Sequence, residues 1–455
     1  MWPTQSPVEC FARRRERLLT TLTRPCVLGS GIARVRNFEG NRFPFRAESH
    51  FLYFVGRHIE EALLCFDGAR VTLFAEPPDP DHALWHGPSP SLEQLSISLG
   101  LEVRPRSEFV APADCATLPP SDVESALWLE EMLERPVEAG NLSAVEVDNE
   151  LAQQVIGLRL VHDEFAIEQM QQAANVTARA HAAGMRATRV GARESLVRAA
   201  IEAAMTESGM TPAYTSIVTV AGEVLHHNTS LNVMQAGDLL LVDAGAESVE
   251  GWASDVTRTW PVSGRFNGIQ AEIYDAVLLA QQVAIAECRA GVRFRDLHRR
   301  AGRALVQALV EVGVFKGNVD SLLERGLGSV FFPHGLGHLL GLDVHDMEDL
   351  GDLAGYAPGR TRSPDVQERY LRLDRDLEPN MVVTIEPGFY CIPERLKGER
   401  FESVRSAIDP QKLELLRQVR GIRIEDDVLV TSGEARVLSA AIPKSRSELE
   451  TVLDV

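Results

Sequence analysis

The sequence lacks both a long apolar run and a paired cysteine motif. No window among its 455 residues approaches the ~20 consecutive apolar residues that a membrane-spanning helix needs. The opening residues, MWPTQSPVECFARRRERLL, have no apolar segment before the basic cluster, so we expect no secretory signal. The six cysteines are scattered and form no C-x-x-C pair, a pattern that favours reduced thiols over a disulfide framework or a zinc knuckle. These absences predict a cytoplasmic protein with no membrane-embedded part.

Positive charge is also scarce. The chain has 46 lysine and arginine residues against 65 aspartate and glutamate residues, and its net charge at pH 7 is −19. Phosphate backbones and anionic lipid surfaces repel such a protein, so we expect neither nucleic acid nor a membrane as its partner. The acidic composition is compatible with the binding of divalent cations.

The length and the texture of the sequence indicate two domains. A chain of 455 residues with 45% apolar residues is long for one domain and can fill more than one core. Residues 1–157 combine helical pieces with short segments typical of strands, FLYFVG (51–56), EALLCF (61–66) and RVTLFA (70–75). Residues 158–455 contain long helical patterns at 162–187, 192–208, 269–291 and 294–313 with β segments between and after them. We therefore predict a smaller N-terminal domain followed by an α+β domain of catalytic size.

The stretch HGLGHLLGLDVHD (334–346) carries three histidines and two aspartates. His334 and His338 have the spacing of a zinc-protease helix, but the residue after His334 is Gly335 rather than glutamate. Gly337 lies in the same turn, and each glycine costs a helix roughly 1 kcal/mol relative to alanine. A rigid two-histidine zinc helix is therefore disfavoured, and further metal ligands must come from elsewhere in the chain.

Four β segments of the second domain carry a carboxylate inside, or directly after, an apolar run. These acids are Asp243 after LLLV, Asp255 within WASDV, Glu386 after VVTI and Glu425 after IRI. A single acid in this position is ordinarily a strand-end cap or half of a salt bridge. Four buried carboxylates repel one another and need compensating positive charge. Together with an imidazole they form a hard, oxygen-rich ligand set that suits a pair of divalent cations, and two metals with bridging carboxylates can hold a hydroxide for hydrolysis.

Five segments resemble, in order, the metal-ligand segments of the pita-bread metallopeptidases. They are VDAG (242–245), SDVTRTWPVSG (254–264), PHGLGHLLGLDVHD (333–346), TIEPGFY (384–390) and RIEDDV (423–428). The resemblance is to the proline-directed branch, Xaa-Pro dipeptidase (prolidase) and aminopeptidase P, and FPFRAESHFLYFVG (43–56) is similar to the accessory domain of that branch. It implies an α+β protein: an N-terminal creatinase/aminopeptidase P-type α/β domain at 1–157, followed by a C-terminal pita-bread catalytic domain at 158–455.

The resemblance also implies a dinuclear metal centre, with Mn²⁺ as the expected ion and Co²⁺ or Zn²⁺ as alternatives. Asp243 would chelate one metal, His338 and Glu386 would bind the other, and Asp255 and Glu425 would bridge both. The spacing departs from the family in one place. Asp243 and Asp255 are twelve residues apart, one more than the family spacing, with the extra residue in ESVEG (247–251). A longer hairpin turn can absorb it.

The other site residues follow from the same resemblance. His226 lies seventeen residues before Asp243, where the family keeps a histidine near the substrate. Arg423 lies two residues before Glu425, hence on the same strand face, where it can orient or neutralise a carboxylate. Glu386 would take the proton of the attacking water and pass it to the leaving amine. The predicted catalytic residues are His226, His334, His345, Glu386 and Arg423, of which His345 would hydrogen-bond the substrate and His334 would support the pocket.

The substrate implied by the resemblance is a di- or short peptide that contains proline, bound through Arg372, His226 and His345. A dipeptidase must end its pocket with a cation for the proline carboxylate. The segment RYLRLDRDLEPNMVVTIEPG (369–388) resembles the prolidase segment in which an arginine has that role, and the corresponding residue here would be Arg372. A solvated arginine in a loop rich in arginine and aspartate is the alternative interpretation of Arg372. The long insert at 391–420 also resembles prolidases, whereas FPFRAESHFLYFVG is at least as similar to aminopeptidase P. We predict an Xaa-Pro dipeptidase, with aminopeptidase P as the alternative.

The main rival is a metal-free relative of the pita-bread fold, either a creatinase-like amidinohydrolase or a binding module. Both forms of this rival predict that metal ligands are missing, whereas all five positions are filled here. Methionine aminopeptidase is disfavoured by the additional N-terminal portion. Relatives in this branch form homodimers or larger assemblies, so the resemblance implies a homo-oligomer.

Overall fold

The computed structural model describes residues 7–140, 142, 146–365 and 367–454. The chain forms two compact units, one of residues 1–168 with 347–354 and one of residues 169–346 with 355–455. The boundary between residues 157 and 158 stays a prediction. No helix within the described residues is long and apolar enough to cross a membrane.

The first unit combines helices and a four-stranded sheet among its described residues. In the sheet the strand order is β1-β2-β3-β4. Strand β2 is antiparallel to both of its neighbours, β1 and β3, and β4 is parallel to β3. The elements are α1 (Pro7–Leu19), β1 (Cys26–Gly29), α2 (Ser49–Val55), β2 (Leu63–Asp67), β3 (Arg70–Ala75), α3 (Pro80–His86), α4 (Leu92–Leu99), β4 (Glu102–Pro105), α5 (Val123–Leu133) and α6 (Glu146–Arg159).

The second unit carries long helices and several short antiparallel sheets. Its strands pair as β6-β7-β9, β10-β13-β14, β11-β12 and β5-β8. The chain continues through α7 (Glu164–Ala187), which begins in the first unit, α8 (Glu194–Glu207), β5 (Thr211–Pro212), β6 (Ile217–Thr219), β7 (Leu239–Asp243), β8 (Ala246–Glu247), β9 (Thr257–Pro261), α9 (Gly268–Glu287), α10 (Phe294–Glu311), α11 (Val319–Glu324), α12 (Leu327–Phe331), α13 (Asp352–Gly355), of which residues 352–354 belong to the first unit, β10 (Val382–Ile385), β11 (Gly388–Tyr390), α14 (Glu399–Val404), α15 (Pro410–Val419), β12 (Gly421–Arg423), β13 (Asp426–Leu429), β14 (Arg436–Val437) and α16 (Arg446–Leu453).

The long helices follow the apolar periodicity of the sequence. The patterns at 162–187, 192–208, 269–291 and 294–313 correspond to α7, α8, α9 and α10. In α10 the buried positions recur every three or four residues, which is the spacing of one helix face. They include Phe294, Leu297, Ala301, Leu305 and Leu309. The α+β class predicted from the sequence is confirmed, and all six cysteines are free and buried.

The strand predicted at FLYFVG is wrong. Residues 49–55 form helix α2, in which every residue is buried, and the helix ends at Gly56 with a φ of 70°. A helix that is apolar all round has no amphipathic period, and its aromatic and β-branched residues imitate a buried strand. The neighbouring predictions, EALLCF and RVTLFA, are confirmed as β2 and β3.

A buried ion pair stabilises the first unit. The side chain of Arg14 is only 2% exposed, and its Nε and Nη2 donate to the carboxylate of Asp163 at 2.8 and 2.9 Å. Burial alone would raise the pKa of Asp163, but the hydrogen bonds and the charge of Arg14 outweigh it and lower the pKa to about 2. Asp163 also accepts from the backbone N–H of Ala166 and so caps the first turn of α7.

Replacing Asp163 with asparagine separates these two roles, because asparagine still caps a helix but carries no charge. We expect Asp163→Asn to lower the free energy of unfolding at pH 7 by about 3 kcal/mol, since it leaves the Arg14 guanidinium buried without its counter-charge. The pKa of Asp163 is depressed in the folded protein, so the difference between wild type and variant should be full above pH ~4 and vanish as the pH falls towards 2. Urea unfolding at several pH values measures it.

Glu414→Gln provides the control, because Glu414 pairs with Arg417 on the exposed face of α15. This variant should change the free energy of unfolding by less than about 0.5 kcal/mol at every pH. Equal effects of the two substitutions at pH 7 would show that the Arg14–Asp163 pair does not stabilise the fold.

Candidate metal centre and active site

The strand pairing of the second unit brings the four strand-end acids together. Asp243 is the last residue of β7 and lies opposite Thr257 of β9, two residues after Asp255. The pairing of β10 with β13 sets Ile385 opposite Asp426. Glu386 follows Ile385 and Glu425 precedes Asp426, so both acids lie next to this pair. A backbone hydrogen bond from Glu425 N to Thr257 O, 3.0 Å long, joins the two halves of the site.

One cavity of about 440 Å³ holds every site residue predicted from the sequence. The four acids and His338 line it together with the remaining predicted histidines and arginines. The residues brought together are His226, Asp243, Asp255, His334, His338, His345, Arg372, Glu386, Arg423 and Glu425. The geometry therefore assembles the set, whereas the role of each residue remains a prediction.

Three of the predicted metal ligands can reach a single ion. Ligand atoms of Asp255, His338 and Glu425 lie within 4.8 Å of one another, and all three side chains are buried. His338 Nδ1 is 2.9 Å from the carbonyl oxygen of Leu339, which fixes the proton on Nδ1. Nε2 is the other nitrogen, and it lies 3.4 Å from Asp255 and 3.8 Å from Glu386. This arrangement is typical of a metal-binding imidazole.

The carboxylates of the site carry more negative charge than the surrounding protein balances. Burial raises the pKa of Asp243 to about 6 and that of Glu386 to about 7, and it raises the pKa of Glu425 well above its ordinary value. The neighbouring carboxylates add to each shift. A divalent cation would remove this penalty, and oxygen donors with one imidazole nitrogen are the chemistry that Mn²⁺, Co²⁺ or Zn²⁺ accepts. The donor set therefore fits a metal centre.

Tyr214 and Arg423 hold Asp243 in place. The Tyr214 hydroxyl lies 2.5 Å from Asp243 and 2.6 Å from Asp255, so one hydroxyl ties together two predicted ligands. Arg423 donates through Nη2 to Asp243 and through Nε to the hydroxyl of Thr257, which in turn donates to Glu425. Asp243 is thus held by hydrogen bonds from two side chains.

A second layer positions Asp255 from behind. Its backbone N–H donates to Asp427 at 3.0 Å, and the hydroxyl of Ser254 donates to the other oxygen of Asp427 at 2.7 Å. Arg258 is fully buried and donates both to Asp426 and to the carbonyl oxygen of Glu425. The segments that carry Asp255 and Glu425 are therefore fixed by side chains as well as by the sheets.

The glycines of HGLGHLLGLDVHD permit a close backbone approach. A Cβ added to Gly337 would collide with the carbonyl oxygen of Thr384, one strand away. That approach allows the Thr384 hydroxyl to accept from the His338 backbone N–H and the His338 carbonyl oxygen to accept from Thr384 N. Glycine at this position thus places His338 beside β10, next to Glu386.

The other two histidines of that stretch have different surroundings. His334 Nδ1 lies 2.8 Å from the carbonyl oxygen of Gly335, and Nε2 lies 2.9 Å from the Tyr390 hydroxyl, so both nitrogens are occupied. Burial and the positive charge of Arg423 lower the pKa of His334 to about 3, and the ring is neutral at ordinary pH. The ring of His345 packs 4.1 Å from that of His338.

Of the neighbouring histidines His226 and His227, only His226 lines the cavity. Part of its side chain is exposed, and partial burial together with the charges of Arg423 and Arg372 lowers its pKa. His227 is absent from the cavity lining, and its Nδ1 lies 2.6 Å from the carbonyl oxygen of Thr229.

Sequence reasoning missed four residues that shape the site: Tyr214, Thr257, Tyr390 and Asp427. Thr257 and Asp427 lie within two residues of predicted ligands, and the strand period could have suggested them as neighbours. Tyr214 and Tyr390 act across long sequence separations, and no local pattern points to either.

The cavity lining is also basic. It includes Arg362, Arg372 and Arg395, as well as Tyr370 and Ile392. Arg395 donates to the carbonyl oxygen of Ser329 at 2.7 Å. The charge of Arg372 contributes to the lowered pKa values of His226 and His334, so its guanidinium is electrostatically coupled to both histidines.

The chain matches two family models. Residues 168–432 match metallopeptidase family M24, and residues 11–111 match the aminopeptidase P N-terminal domain. Among the similar proteins, the human Xaa-Pro dipeptidase is 29% identical over 476 residues, which span 98% of this chain and 94% of that protein. The Xaa-Pro aminopeptidase of Haemophilus influenzae is 30% identical over 462 residues, which span 98% of both chains.

Solved structures agree with the family models. The aminopeptidase PepP of Pseudomonas aeruginosa superposes with a TM-score of 0.80 at 28% identity, over 99% of both chains. Aminopeptidase P of E. coli, solved with the inhibitor Pro-Leu, gives a TM-score of 0.80 at 27% identity over the same share of each chain. The predicted fold, an N-terminal aminopeptidase P-type domain and a C-terminal pita-bread domain, is confirmed.

A metal titration tests the donor set directly. Adding Mn²⁺ to the metal-depleted protein should raise its free energy of unfolding, by about 2.7 kcal/mol at a hundredfold excess over Kd, because the ion binds the folded state. His338→Ala and Glu425→Gln should each remove most of that gain, and His227→Ala should keep it. Thermal unfolding with and without Mn²⁺ measures the gain. An unchanged unfolding temperature in wild type, or the same rise in Glu425→Gln, would contradict the proposed ligands.

Proposed function

Since the chain belongs to metallopeptidase family M24 and within it to the Xaa-Pro peptidases, which are hydrolases, we propose that it is an Xaa-Pro dipeptidase (prolidase). The substrate of the proposed reaction is a dipeptide whose second residue is proline. The observation that carries the proposal is one cavity lined both by the four acids with His338 and by a half-buried arginine, Arg372.

We propose that the cavity holds two divalent ions, with Mn²⁺ as the expected metal. Asp243 would bind one ion, His338 and Glu386 the other, and Asp255 and Glu425 both. Bound divalent ions polarise a carbonyl oxygen and lower the pKa of water, which is the chemistry that amide hydrolysis needs. The buried carboxylates and the mutual reach of Asp255, His338 and Glu425 support this assignment.

In the proposed mechanism, the side chains of this chain orient the peptide and move the protons. Glu386 lines the cavity beside His338, where its carboxylate can take a proton from the attacking water and deliver it to the departing proline nitrogen. His226 and His345 line the same cavity and would donate hydrogen bonds to the carbonyl oxygen as negative charge develops there. Neutral His334 acts indirectly, because its ring accepts from Tyr390, and Tyr390 accepts from Arg423.

Arg372 would bind the carboxylate of the proline. An Xaa-Pro amide has no N–H, so recognition must rely on the shape of the ring and on the groups around it. In a dipeptide the nearest such group is the terminal carboxylate, and a guanidinium is the side chain best suited to it. Half-burial of Arg372 removes part of the water that would weaken this pair.

Aminopeptidase P is the second candidate, because the solved structures named above are aminopeptidases P and match over nearly the whole chain. An aminopeptidase that cleaves longer peptides must leave the end beyond proline open, and a cation there brings it no benefit. We further propose, from the family resemblance, that the protein is a cytoplasmic homodimer or larger homo-oligomer and that residues 1–157 form its accessory domain.

Peptide length separates the two candidates. We expect wild type to hydrolyse Gly-Pro with a higher kcat/KM than a Gly-Pro-containing tripeptide, because only the dipeptide places a carboxylate at Arg372. Arg372→Ala should raise KM for Gly-Pro and lower kcat/KM about tenfold or more, and it should alter tripeptide cleavage far less. Steady-state kinetics of the Mn²⁺-loaded enzyme measure both.

Arg369→Ala is the matched control, since Arg369 is an exposed arginine of the same loop that does not line the cavity. It should leave the preference for the dipeptide unchanged. Faster cleavage of the tripeptide, with no sensitivity to Arg372→Ala, would replace the dipeptidase proposal with aminopeptidase P.

A further inference from the structure

The loop that carries Arg372 is held by charges from helix α10. Asp374, two residues after Arg372, accepts from Arg293 Nε and Nη2 at 2.6 and 2.7 Å and from Arg295 Nη2 at 2.7 Å. Glu368, four residues before Arg372, accepts from Arg299 Nε at 2.6 Å. We call these five residues, Arg293, Arg295, Arg299, Glu368 and Asp374, the α10 ion network.

The α10 ion network places charges where each would be destabilising if it were unpaired, which indicates that the network has a function. Arg293 is the N-cap residue of α10, and Arg295 lies in its first turn. Positive charge at a helix N-terminus opposes the helix dipole and costs up to about 1 kcal/mol per residue unless it is paired. Asp374 and Glu368 are both buried, so they in turn need the arginines. Burial opposes ionisation of Asp374, yet the hydrogen bonds from Arg293 and Arg295 lower its pKa to about 2.

The backbone on either side of Arg372 is fixed as well. The carbonyl oxygen of Leu371 accepts from the Tyr356 hydroxyl at 2.8 Å and from Arg362 at 2.9 Å. Asp374 N donates to the carbonyl oxygen of Gly355, and a Cβ on Gly355 would collide with the carbonyl oxygen of Arg372. The main chain at Arg372 therefore has little conformational freedom.

The same loop packs against the catalytic segment. A Cβ added to Gly335, the residue after His334, would lie 3.1 Å from the carbonyl oxygen of Tyr370. Any shift of residues 370–372 therefore changes the distance between Arg372 and the four acids. That distance sets the length of peptide whose carboxylate can meet the guanidinium.

We infer that the α10 ion network is a specificity-determining device: by fixing residues 368–374 it positions Arg372 for the carboxylate of an Xaa-Pro dipeptide. The inference rests on the proposed dipeptidase function. The five residues of the α10 ion network are positioning residues, because they act through Arg372 and do not line the cavity themselves. No group in the network takes part in bond cleavage.

The test compares Gly-Pro with Gly-Pro amide, which has the same scissile bond but no terminal carboxylate. In the Mn²⁺-loaded full-length enzyme, wild type should favour Gly-Pro, and Arg372→Ala should abolish the preference. Asp374→Asn should lower kcat/KM for Gly-Pro about tenfold, mainly through KM, and leave the value for the amide within about twofold. The double variant of Arg372→Ala with Asp374→Asn should show no further loss of preference.

Three further variants keep the test independent of folding. Arg295→Gln removes one partner of Asp374 and leaves Arg293 in place, so it should reduce the preference less than Asp374→Asn does. Arg295→Lys retains the charge and should restore part of the preference. Glu414→Gln is the control, because Glu414 is an exposed acid of α15 that pairs with Arg417 of the same helix.

The outcomes separate the two proposals. Equal losses on both peptides in Asp374→Asn and Arg295→Gln would reduce the network to structural support and overturn the inference. Loss of preference in Arg372→Ala but full preference in Asp374→Asn would also overturn it and leave the dipeptidase proposal intact. A wild type that treats the two peptides alike would overturn both.

Discussion

The burial of several carboxylates around a single guanidinium is the constraint on which the second unit depends. Asp243, Asp255, Glu386 and Glu425 all face one cavity, and Arg423 is the arginine that bonds to Asp243 and lies 3.9 Å from Glu386. Behind them, buried Arg258 and half-buried Lys444 both pair with Asp426, so their charges are already used there. Bound divalent cations would supply the positive charge that the acids of the cavity need. The fold thus creates a deficit that the proposed metals fill.

Antiparallel pairing explains why these acids meet. Asp243 and Asp255 flank the β7–β9 hairpin, and Glu386 and Glu425 flank the pairing of β10 with β13. The two pairs are then joined through Thr257, which bonds to Glu425, and through Arg423, which bonds to Asp243 from 180 residues away. Strands hold such groups more rigidly than loops do, and metal ligands need that precision. The glycine at 337 lets the His338 segment approach the same edge.

Much of this centre could be predicted from the sequence, because its chemistry is local to each segment. An acid at the end of an apolar run is visible without a fold, and four such segments, in order with the histidine stretch at 333–346, resemble those of the family and its pita-bread fold. The α2 helix was mistaken for a strand because complete burial erases the helical period. Tyr214, Tyr390 and the α10 ion network were not foreseen for a different reason. They depend on strand register and on loop packing between residues far apart in the chain, and no local pattern encodes either.

Two parts of the cavity lining are stabilised by different kinds of interaction, and this has a consequence for specificity. The four acids lie at or near strand ends whose positions are set by backbone pairing, so side-chain changes elsewhere move them little. Arg372 lies in a loop whose position is set by ion pairs with α10, and such pairs can be weakened or rearranged without disturbing a sheet. Substitutions in the α10 ion network could therefore alter which peptides are accepted while the hydrolytic centre stays intact. Peptide length and bond cleavage are, on this view, controlled by separate parts of one domain.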